Sequence, residues 1–346
     1  MRGVFIRGAA SAELELQLGQ ADAAERIAEV VGGSQRIEAI ARATRIQTRA
    51  IAFSVDQIGR LSSIQDRNTL YQEVAPVLAG EAVRRLLADG SPSLIDCLVT
   101  ASCTGYMVPG LDVSIAQAMQ FRSTAVRLPI TEAGCAGGVV ALARATDYLK
   151  AHATTRRAVV AAVELCSLAF QPSHNLGNLV STLIFGDGAA AVLLEADDTN
   201  EEGLRVVDSG SLLLPNSRDA IAFDLTDHGF APRLSLELAE LLPSAITESV
   251  RCLLKTNGVA IRDVAFWLVH PGGPRILEGA QEALQLNEDN LRWSWQSLKG
   301  SGNMSSVAIL DVIGRYLAEP EAPRGYGIVL AFGPGVSLEL LLVHRC

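Results

Sequence analysis

Cys135 is the first residue whose type and setting could do chemistry. It lies in the small-residue segment Thr-Glu-Ala-Gly-Cys-Ala-Gly-Gly (131–138), and side chains recur at helical spacing from Val139 to Leu149, which predicts a helix with one buried face. A thiol at a helix N-terminus faces unpaired N–H groups and the positive end of the helix dipole, which favours the nucleophilic thiolate. We therefore expect Cys135 to attack a carbonyl. A buried cysteine that packs against a neighbouring helix is the alternative interpretation.

A histidine and an asparagine occupy comparable places later in the chain. His270 follows the predicted strand 265–269 in Val-His-Pro-Gly-Gly-Pro, and Asn303 precedes the predicted helix 305–318 in Gly-Asn-Met-Ser-Ser. An imidazolium stabilises a thiolate, and a histidine N–H with an asparagine amide can hold an oxyanion or an enolate. Each residue alone also fits a structural role, as a core histidine or a helix N-cap. The joint pattern, with glycines beside all three, indicates a Cys–His–Asn catalytic set.

The spacing of these residues indicates an internal duplication. Ser102 follows a predicted strand and stands 33 residues before Cys135, and His270 stands 33 residues before Asn303. Cys135 and Asn303 therefore occupy equivalent places in two copies of one βα unit. Such a duplication predicts two halves that pack as one body, with a site at their junction.

The predicted halves are residues 1–195, which carry the nucleophilic cysteine, and residues 205–346, which carry the histidine and the asparagine. The polar segment 196–204 would join them. Strands that alternate with helices imply an α/β fold with a mostly parallel inner sheet in each half, covered on both faces. Three local expectations complete the outline: helices over 12–30 and 35–48, and an irregular polar excursion over 165–183.

Composition narrows the possible partners and the cellular compartment. The chain has 346 residues and a formal net charge of −9, which argues against nucleic acid and anionic membranes as partners. No apolar run approaches the roughly 18–20 residues that span a bilayer, and no signal-peptide core is found, so we expect a cytoplasmic protein. The six cysteines are scattered, which favours reduced thiols over disulfides or a zinc site. The five histidines are dispersed, so no metal site is expected.

Five motifs occur in one order along the chain: Thr-Gly-Tyr-Met-Val-Pro-Gly (104–110), Phe-Gly-Asp-Gly-Ala-Ala (185–190), His-Pro-Gly-Gly-Pro (270–274), Gly-Asn-Met-Ser-Ser (302–306) and Phe-Gly-Pro-Gly (332–335). In these motifs the chain closely resembles the type III polyketide synthases, the chalcone-synthase-like branch of the thiolase superfamily. The resemblance extends from about residue 95 to residue 343, and the compact N-terminus is typical of bacterial members. It implies a thiolase-like fold, in which duplicated βα halves form a five-layer αβαβα sandwich.

The resemblance also implies an activity. Cys135 matches the nucleophile that takes a starter acyl group from coenzyme A, and His270 and Asn303 match the pair that decarboxylates malonyl-CoA and stabilises its enolate. The acyl chain would grow and then cyclise to a pyrone, resorcinol or phloroglucinol-type product. Phe185 matches the gatekeeper between the coenzyme A tunnel and the cavity, although a ring there also fits plain core packing. Acyl-CoA and malonyl-CoA are the expected substrates, and no metal, flavin or nicotinamide is expected.

Further positions match the cavity wall of the family. Cys103, Ala169, Phe223 and Ser305 match cavity-lining residues. Phe223 stands where plant chalcone synthases have glycine, and Pro232 falls where a second gatekeeper phenylalanine would be. These two departures predict starter and cyclisation chemistry that differs from the plant enzymes.

The resemblance also implies which surface residues contact coenzyme A and a second subunit. Arg36, Arg42 and Arg275 are candidates for contacts to the coenzyme A phosphates, although solvated charge also explains arginines on a helix. The loop 107–109 matches a segment that crosses the dimer interface in the family, so a homodimer is expected.

Three other functions compete with this interpretation. A β-ketoacyl synthase III-like enzyme, which makes a single condensation, uses a similar Cys–His–Asn set but has His-Gln-Ala-Asn where this chain has His-Pro-Gly-Gly-Pro (270–274). A thiolase has a second catalytic cysteine near the C-terminus, where this chain has Gly-Pro-Gly (333–335). A catalytically inactive dimer partner is disfavoured by the intact set of three polar residues.

Overall fold

The apolar runs of the sequence become strands of one sheet, and the amphipathic runs become helices that cover it. The computed structural model describes residues 2–88, 90, 92–171, 175–235 and 238–346. The strands are β1 Gly3–Ser11, β2 Leu16–Gly19, β3 Thr48–Ile51, β4 Cys97–Ala101, β5 Val126–Ile130, β6 Arg157–Leu165, β7 Asp187–Asp197, β8 Leu204–Leu213, β9 Ile221–Thr226, β10 Gly229–Leu234, β11 Val264–Val269, β12 Gly325–Gly333 and β13 Ser337–Arg345. The helices are α1 Gln20–Val31, α2 Ser34–Ala43, α3 Val55–Gly59, α4 Ile64–Leu86, α5 Leu111–Ala118, α6 Gly137–Ala151, α7 Leu176–Ile184, α8 Leu238–Thr256, α9 Pro274–Leu284, α10 Arg292–Ser301 and α11 Ser306–Ala318. Within the described ranges, no helix combines the length and the apolar character needed to cross a membrane.

Nine strands form the main sheet, in the order β5-β4-β6-β7-β1-β8-β13-β12-β11. β4 runs parallel to β5 and to β6, and β11 runs parallel to β12. The other five pairings of this sheet are antiparallel, so the prediction of a mostly parallel sheet in each half is wrong. The two half-sheets meet at β1 and β8, where only Phe5 with Arg205 and Ile6 with Leu204 are in register. The sheet is therefore continuous, but it is narrow at the boundary between the duplicated units.

Alternating side chains divide the protein into layers. Val99 of β4 and Leu268 of β11 point into a shared core with α6 and α11, between the two half-sheets. Leu98 points the other way, into a core with α4 and α5, and Trp267 points into a third core with α8 and α9. This alternation is the period-two pattern of a strand that is covered on both faces. The predicted five-layer αβαβα sandwich is thus confirmed.

Some predicted elements differ from the structure. Residues 16–19, which lie inside the predicted helix 12–30, instead form the antiparallel pair β2–β3 with residues 48–51, which begin at the last residue of the predicted helix 35–48. Pairing with a distant strand overrides local helical preference there. The predicted irregular excursion contains α7, and its residues 172–174 lie outside the described residues. In the second half, α10 stands where the duplication would place a counterpart of β5, so the repeat is incomplete.

The two central helices approach each other very closely. A Cβ atom on Gly138 of α6 would lie 2.4 Å from the Ser306 carbonyl oxygen and 2.6 Å from Ile309 Cγ2, both in α11. Only glycine allows this approach. The helix N-termini therefore meet, and Cys135 and Asn303, which directly precede them, come to one place.

We expect Gly138→Ala to lower the free energy of unfolding by about 1–3 kcal/mol, because the added methyl group overpacks the contact between α6 and α11. The matched control is Gly279→Ala in α9, where nothing lies within 4 Å of the added Cβ and helix propensity predicts a gain of up to about 1 kcal/mol. Denaturant unfolding of both variants measures the difference. Equal free energies of unfolding of the two variants would show that α6 and α11 accommodate the added methyl group without a loss of stability.

Candidate active site

Cys135 lies in a single tight turn that leads into α6. The turn spans Gly134–Ala136, and Gly134 has a positive φ of 53°. A Cβ on Gly134 would lie 2.6 Å from Pro334 Cδ, so the turn is pressed against the Gly-Pro-Gly loop between β12 and β13. The side chains of Ser305 and Asn303 both lie where they lower the pKa of the Cys135 thiol, as hydrogen-bond donors to sulfur do. The structure therefore brings the predicted nucleophile and the predicted asparagine into one site.

The amide of Asn303 is held at both of its ends. Its Nδ2 donates to the carbonyl oxygen of Gly272 at 3.1 Å, and its Oδ1 accepts from the backbone N–H of Ser305 at 2.8 Å. These bonds fix which end of the amide is the donor. An amide nitrogen carries two hydrogens, so one N–H remains directed at the sulfur site while the other anchors the side chain to the loop after His270.

A backbone bridge joins the two halves beside the site. The N–H of Asn303 donates to the Ile184 carbonyl at 2.9 Å, and the N–H of Gly186 donates to the Asn303 carbonyl at 3.0 Å. Phe185 thus forms an isolated parallel bridge with Asn303. The predicted gatekeeper and the predicted catalytic asparagine cannot move independently.

His270 directly follows β11 and is buried. The residue is 1% exposed, and its N–H donates to the Leu330 carbonyl at 2.8 Å. Its Nδ1 atom has no hydrogen-bond partner among the described residues. Burial lowers the pKa of His270 to about 3, because the charged form loses its hydration. The imidazole is therefore neutral at pH 7 and can accept a proton.

Burial also has the largest effect on the pKa of the Cys135 thiol. Removal of water from the sulfur raises the pKa of Cys135 to about 11, and the hydrogen bonds from Ser305 and Asn303 oppose this rise without cancelling it, while the Glu164 carboxylate adds to it. The prediction that the helix N-terminus favours a resting thiolate is therefore wrong. Desolvation disfavours the charged form more than the Ser305 and Asn303 donors favour it. The thiol of Cys135 and the imidazole of His270 are therefore both neutral at rest.

A buried carboxylate organises the wall next to the thiol. Glu164, at the end of β6, is fully buried and accepts hydrogen bonds from the Cys103 N–H at 3.0 Å, the Thr104 hydroxyl at 2.9 Å and the Ser306 hydroxyl at 2.5 Å. Burial raises the pKa of Glu164. Sequence reasoning missed this residue, although an acid inside the apolar run 158–165 was a usable signal.

Ser305 connects this wall to the nucleophile. Its hydroxyl lies 3.5 Å from the Cys103 sulfur and also reaches Cys135. Its backbone has φ 50° and ψ −128°, a conformation that costs a non-glycine residue energy and that tends to occur at functional sites. Burial raises the pKa of the Cys103 thiol well above its ordinary value, so Cys103 is a neutral neighbour of the site.

A cavity of about 690 Å³ opens beside the cysteine turn. It is lined by the five residues that the family resemblance assigns to substrate binding: Phe185, Cys103, Ala169, Phe223 and Ser305. Pro232 also lines it and lies opposite Phe223 in the β9–β10 ladder. The rings of Phe185 and Phe223 are 6.5 Å apart. The structure thus brings these positions to one space, and their role in binding stays a prediction.

A further part of the cavity wall comes from N-terminal segments to which the sequence analysis assigned no role in binding. It includes aliphatic residues of β2, α1, β3 and α3: Leu18, Ala23, Ile27, Ile51, Val55 and Ile58. Arg49 of β3 lines the cavity too, and donates to the Phe185 carbonyl at 3.4 Å. Burial lowers the pKa of Arg49 to about 10, against the favourable charge of Asp187, so its guanidinium remains charged at neutral pH.

The three arginines predicted to contact coenzyme A are outside the cavity. Arg36 and Arg42 are exposed on α2, and Arg42 pairs with Glu38 at 3.6 Å. Arg275 is exposed in the first turn of α9. Their proposed contacts to phosphate stay predictions.

The raised pKa of Cys135 predicts how its reactivity depends on pH. A thiol pKa of about 11 leaves roughly one thiolate in 10⁴ molecules at pH 7, so alkylation by iodoacetamide should be slow at pH 7 and should accelerate about tenfold per pH unit up to pH 10. Ser305→Ala removes a bond that lowers the pKa, so its rate should be lower at each pH. Mass spectrometry of the peptide that contains Cys135 measures the rate, with circular dichroism as the control for folding. A rate that is already maximal at pH 7 contradicts the neutral resting thiol.

Comparison with known proteins gives the same family over most of the chain. The N-terminal domain of chalcone and stilbene synthases matches residues 35–198, and the C-terminal domain matches residues 205–346. An alpha-pyrone synthesis polyketide synthase-like protein of Mycobacterium tuberculosis is 34% identical over 97% of this chain and 90% of its own length. The 1,3,6,8-tetrahydroxynaphthalene synthase of Streptomyces peucetius subsp. caesius is 32% identical over 99% of this chain and 93% of its own.

A solved structure has the same architecture. The crystal structure of 1,3,6,8-tetrahydroxynaphthalene synthase from Streptomyces coelicolor, a bacterial type III polyketide synthase, superposes with a TM-score of 0.90 at 28% identity and covers 99% of both chains. The convergence of Cys135 and Asn303, the cavity beside them and the matching domains all agree. The chain belongs to the chalcone and stilbene synthase family, the type III polyketide synthases, whose members are acyltransferases with a thiolase fold.

Proposed function

We propose that the protein transfers an acyl group from an acyl-CoA to Cys135 and extends it by decarboxylative Claisen condensation with malonyl-CoA, followed by cyclisation. The convergence of Cys135 and Asn303 on one site, at the edge of a cavity enclosed largely by apolar side chains, is the observation that supports this. Apolar walls beside an acyl thioester reduce its contact with water and strengthen the polar contacts at the site.

The loading step starts from neutral groups. The Cys135 thiol gives its proton to the neutral imidazole of His270 as the sulfur attacks the thioester carbonyl, and coenzyme A leaves as the thiol after taking a proton back. The Ser305 and Asn303 donors stabilise the charge that develops on sulfur. Proton transfer between two neutral buried groups creates an ion pair only when the substrate is in place.

The extension step uses the same donors in another way. The malonyl thioester carbonyl accepts hydrogen bonds from His270 and from the Asn303 N–H that points at the sulfur site, and the carboxylate leaves as carbon dioxide. The resulting enolate carbon attacks the acyl group on Cys135 and releases its thiolate. Because Asn303 is anchored to Gly272, it meets the developing enolate without reorganising.

The cavity suggests the class of starter and product. The part of its wall that β2, α1, β3 and α3 contribute is largely aliphatic. We therefore propose an apolar acyl starter, with a pyrone, resorcinol or phloroglucinol-type ring as the product. Relatives include a phloroglucinol synthase of Pseudomonas fluorescens, 27% identical over 86% of this chain. A β-ketoacyl synthase III-like enzyme with one condensation is the alternative, and the number of malonyl units in the product distinguishes the two.

The remaining features of the proposal concern the setting of the enzyme. We propose a homodimer in the cytoplasm, with coenzyme A thioesters as substrates and without a resident cofactor, a metal, a nucleic acid or a membrane partner. Val108 lies in the predicted dimer loop and is 77% exposed. Tyr106, directly before this loop, is 69% exposed. Large apolar side chains in solvent support a partner subunit at this place.

The direct test is incubation with malonyl-CoA and a panel of short, long and aromatic acyl-CoAs, with mass spectrometry of the products. We expect Cys135→Ala to abolish acyl loading and product formation but to keep malonyl-CoA decarboxylation, which depends on His270 and Asn303. His270→Ala should lower both activities by about 10²–10⁴-fold, the usual contribution of a proton-transfer group. Wild-type product formation by Cys135→Ala would rule out the mechanism.

Phe223 should limit the size of what the cavity holds. A phenylalanine buries about 150–250 Å², so Phe223→Gly should admit bulkier starters or allow one or more additional condensations. Phe223 is 40% exposed, so the loss in stability should be smaller than the roughly 3–5 kcal/mol of a core phenylalanine. Ala222→Gly, the next residue of β9, controls for a glycine in this strand. A folded Phe223→Gly variant with unchanged starter range and product length would show that this ring does not bound the cavity.

A further inference from the structure

The hairpin β9–β10 forms one wall of the cavity. It is a two-stranded sheet separate from the main one, and its ladder places Phe223 opposite Pro232 and Leu225 opposite Phe230. Residues two apart on a strand share a face of the sheet with their cross-strand partners. All four side chains line the cavity, so this face of the hairpin bounds the space beside the cysteine turn.

A buried arginine holds the turn of this hairpin. Arg67, in the first turn of α4, is 4% exposed, and its Nε donates to the His228 carbonyl at 2.6 Å. Its Nη1 donates to the Leu168 carbonyl at 2.8 Å, and its Nη2 donates to the Leu61 carbonyl at 3.1 Å. A guanidinium is planar and presents its donors in a rigid fork, so the three carbonyls are held at fixed distances from one another.

The three carbonyls belong to three different segments around the cavity. His228 is in the turn between β9 and β10. Leu168 lies between Ser167 and Ala169, which both line the cavity. Leu61 is in the loop between α3 and α4, and each of these helices also contributes residues to the cavity wall. Three segments of the wall therefore meet at one side chain that lies behind them.

Two further hydrogen bonds join the hairpin turn to the start of α4. The N–H of Ile64 donates to the Asp227 carbonyl at 2.8 Å. The ring Nδ1 of His228 lies 2.9 Å from the Ser62 carbonyl oxygen, and because that oxygen can only accept, Nδ1 is the donor. The His228 ring is exposed, so its bond can be removed without opening the core.

This arrangement lets Arg67 control the width of the cavity. The end of the hairpin opposite its turn is anchored separately, because the N–H of Gly335 donates to the Ile221 carbonyl at 2.9 Å. Loss of the Arg67 bonds would release the turn while this anchor remains, and the face with Phe223 and Leu225 would then move away from the opposite wall. One methylene more or less in an apolar pocket changes selectivity by about 10–200-fold, so a small change in width alters which acyl chains fit.

We propose that Arg67 is a positioning residue that sets the width of the cavity and thereby the length of the acyl chain that the enzyme accepts and builds. The inference rests on the proposed polyketide synthase function and names a determinant of its specificity. Arg67 is not among the residues that line the cavity, so it acts through the wall segments that it holds and does not touch the substrate. It therefore affects chain length and leaves the chemistry at Cys135 unaffected.

Arg67→Lys and Arg67→Gln test this assignment. Lysine keeps the charge but has one nitrogen in place of the rigid fork, and glutamine loses the charge as well. We expect the ratio of kcat/KM for long to short acyl-CoA starters to rise about three- to tenfold, less than the full effect of one methylene, and the products to gain malonyl units. Loading of Cys135 with a short acyl group and malonyl-CoA decarboxylation, followed by mass spectrometry, should stay unchanged.

His228→Ala releases the same turn by a second route. It removes the bond to the Ser62 carbonyl and leaves the backbone carbonyl that Arg67 binds. Because the ring is exposed, this variant should fold normally, and it covers the case in which the Arg67 variants misfold. We expect the same direction of change in starter preference and product length, with a smaller size.

Arg7→Gln is the matched control. Arg7 of β1 also joins distant segments, since its Nε donates to Glu195 Oε2 at 3.1 Å and its Nη2 to the Asn200 carbonyl at 2.9 Å, but it is not among the residues that line the cavity. Its loss should lower the midpoint of denaturant unfolding and leave the starter preference unchanged.

The outcomes separate the inference from the proposed function. With an active unmodified protein, an unchanged starter preference in the folded Arg67 and His228 variants would overturn the inference alone. An equal change in Arg7→Gln would also overturn it, because general destabilisation would then be the cause. Failure of the unmodified protein to condense malonyl-CoA with any acyl-CoA would overturn the proposed function and the inference with it.

Discussion

The contact between α6 and α11 is the constraint on which the rest of the structure depends. Both helices are buried between two half-sheets, and Gly138 lets their backbones meet where any side chain would collide with Ser306. Because each helix begins at this contact, the residues that precede the helices converge. The proposed nucleophile and the proposed oxyanion donor are thus positioned by helix packing, and the Phe185–Asn303 bridge holds Phe185 to the same frame.

The dry interior that results determines the electrostatics of the site. Burial raises the pKa of Cys135 to about 11 and lowers the pKa of His270 to about 3, so the resting pair carries no charge. In the proposed mechanism, thiolate and imidazolium therefore form only when a thioester carbonyl is present to accept the attack. Glu164 is also buried, yet three donors from the protein hold its carboxylate, so it organises the wall and does not depend on solvent.

Sequence patterns predicted the parts of this design that follow from local rules. Strand periodicity and the repeated 33-residue spacing indicated the duplicated frame, and the glycine-flanked cysteine, histidine and asparagine indicated the site. The β2–β3 pair and α10 were not predicted, because distant pairing and packing decide them. α7 was missed because its polar residues resemble a loop. The direction of the Cys135 pKa was wrong because the helix end is visible in the sequence and the loss of water is not.

The aliphatic side chains that β2 and α1 contribute to the cavity wall have a consequence for how the cavity of such an enzyme can change. Leu18, Ala23 and Ile27 belong to β2 and α1 and precede residue 35, where the match to the shared family domain begins. A substitution in this segment changes the cavity wall at a distance in sequence from the hydrogen bonds that hold Asn303. Part of the wall that would contact a starter is therefore encoded apart from the residues proposed to do the chemistry, so selection or engineering can alter the one stretch and keep the other.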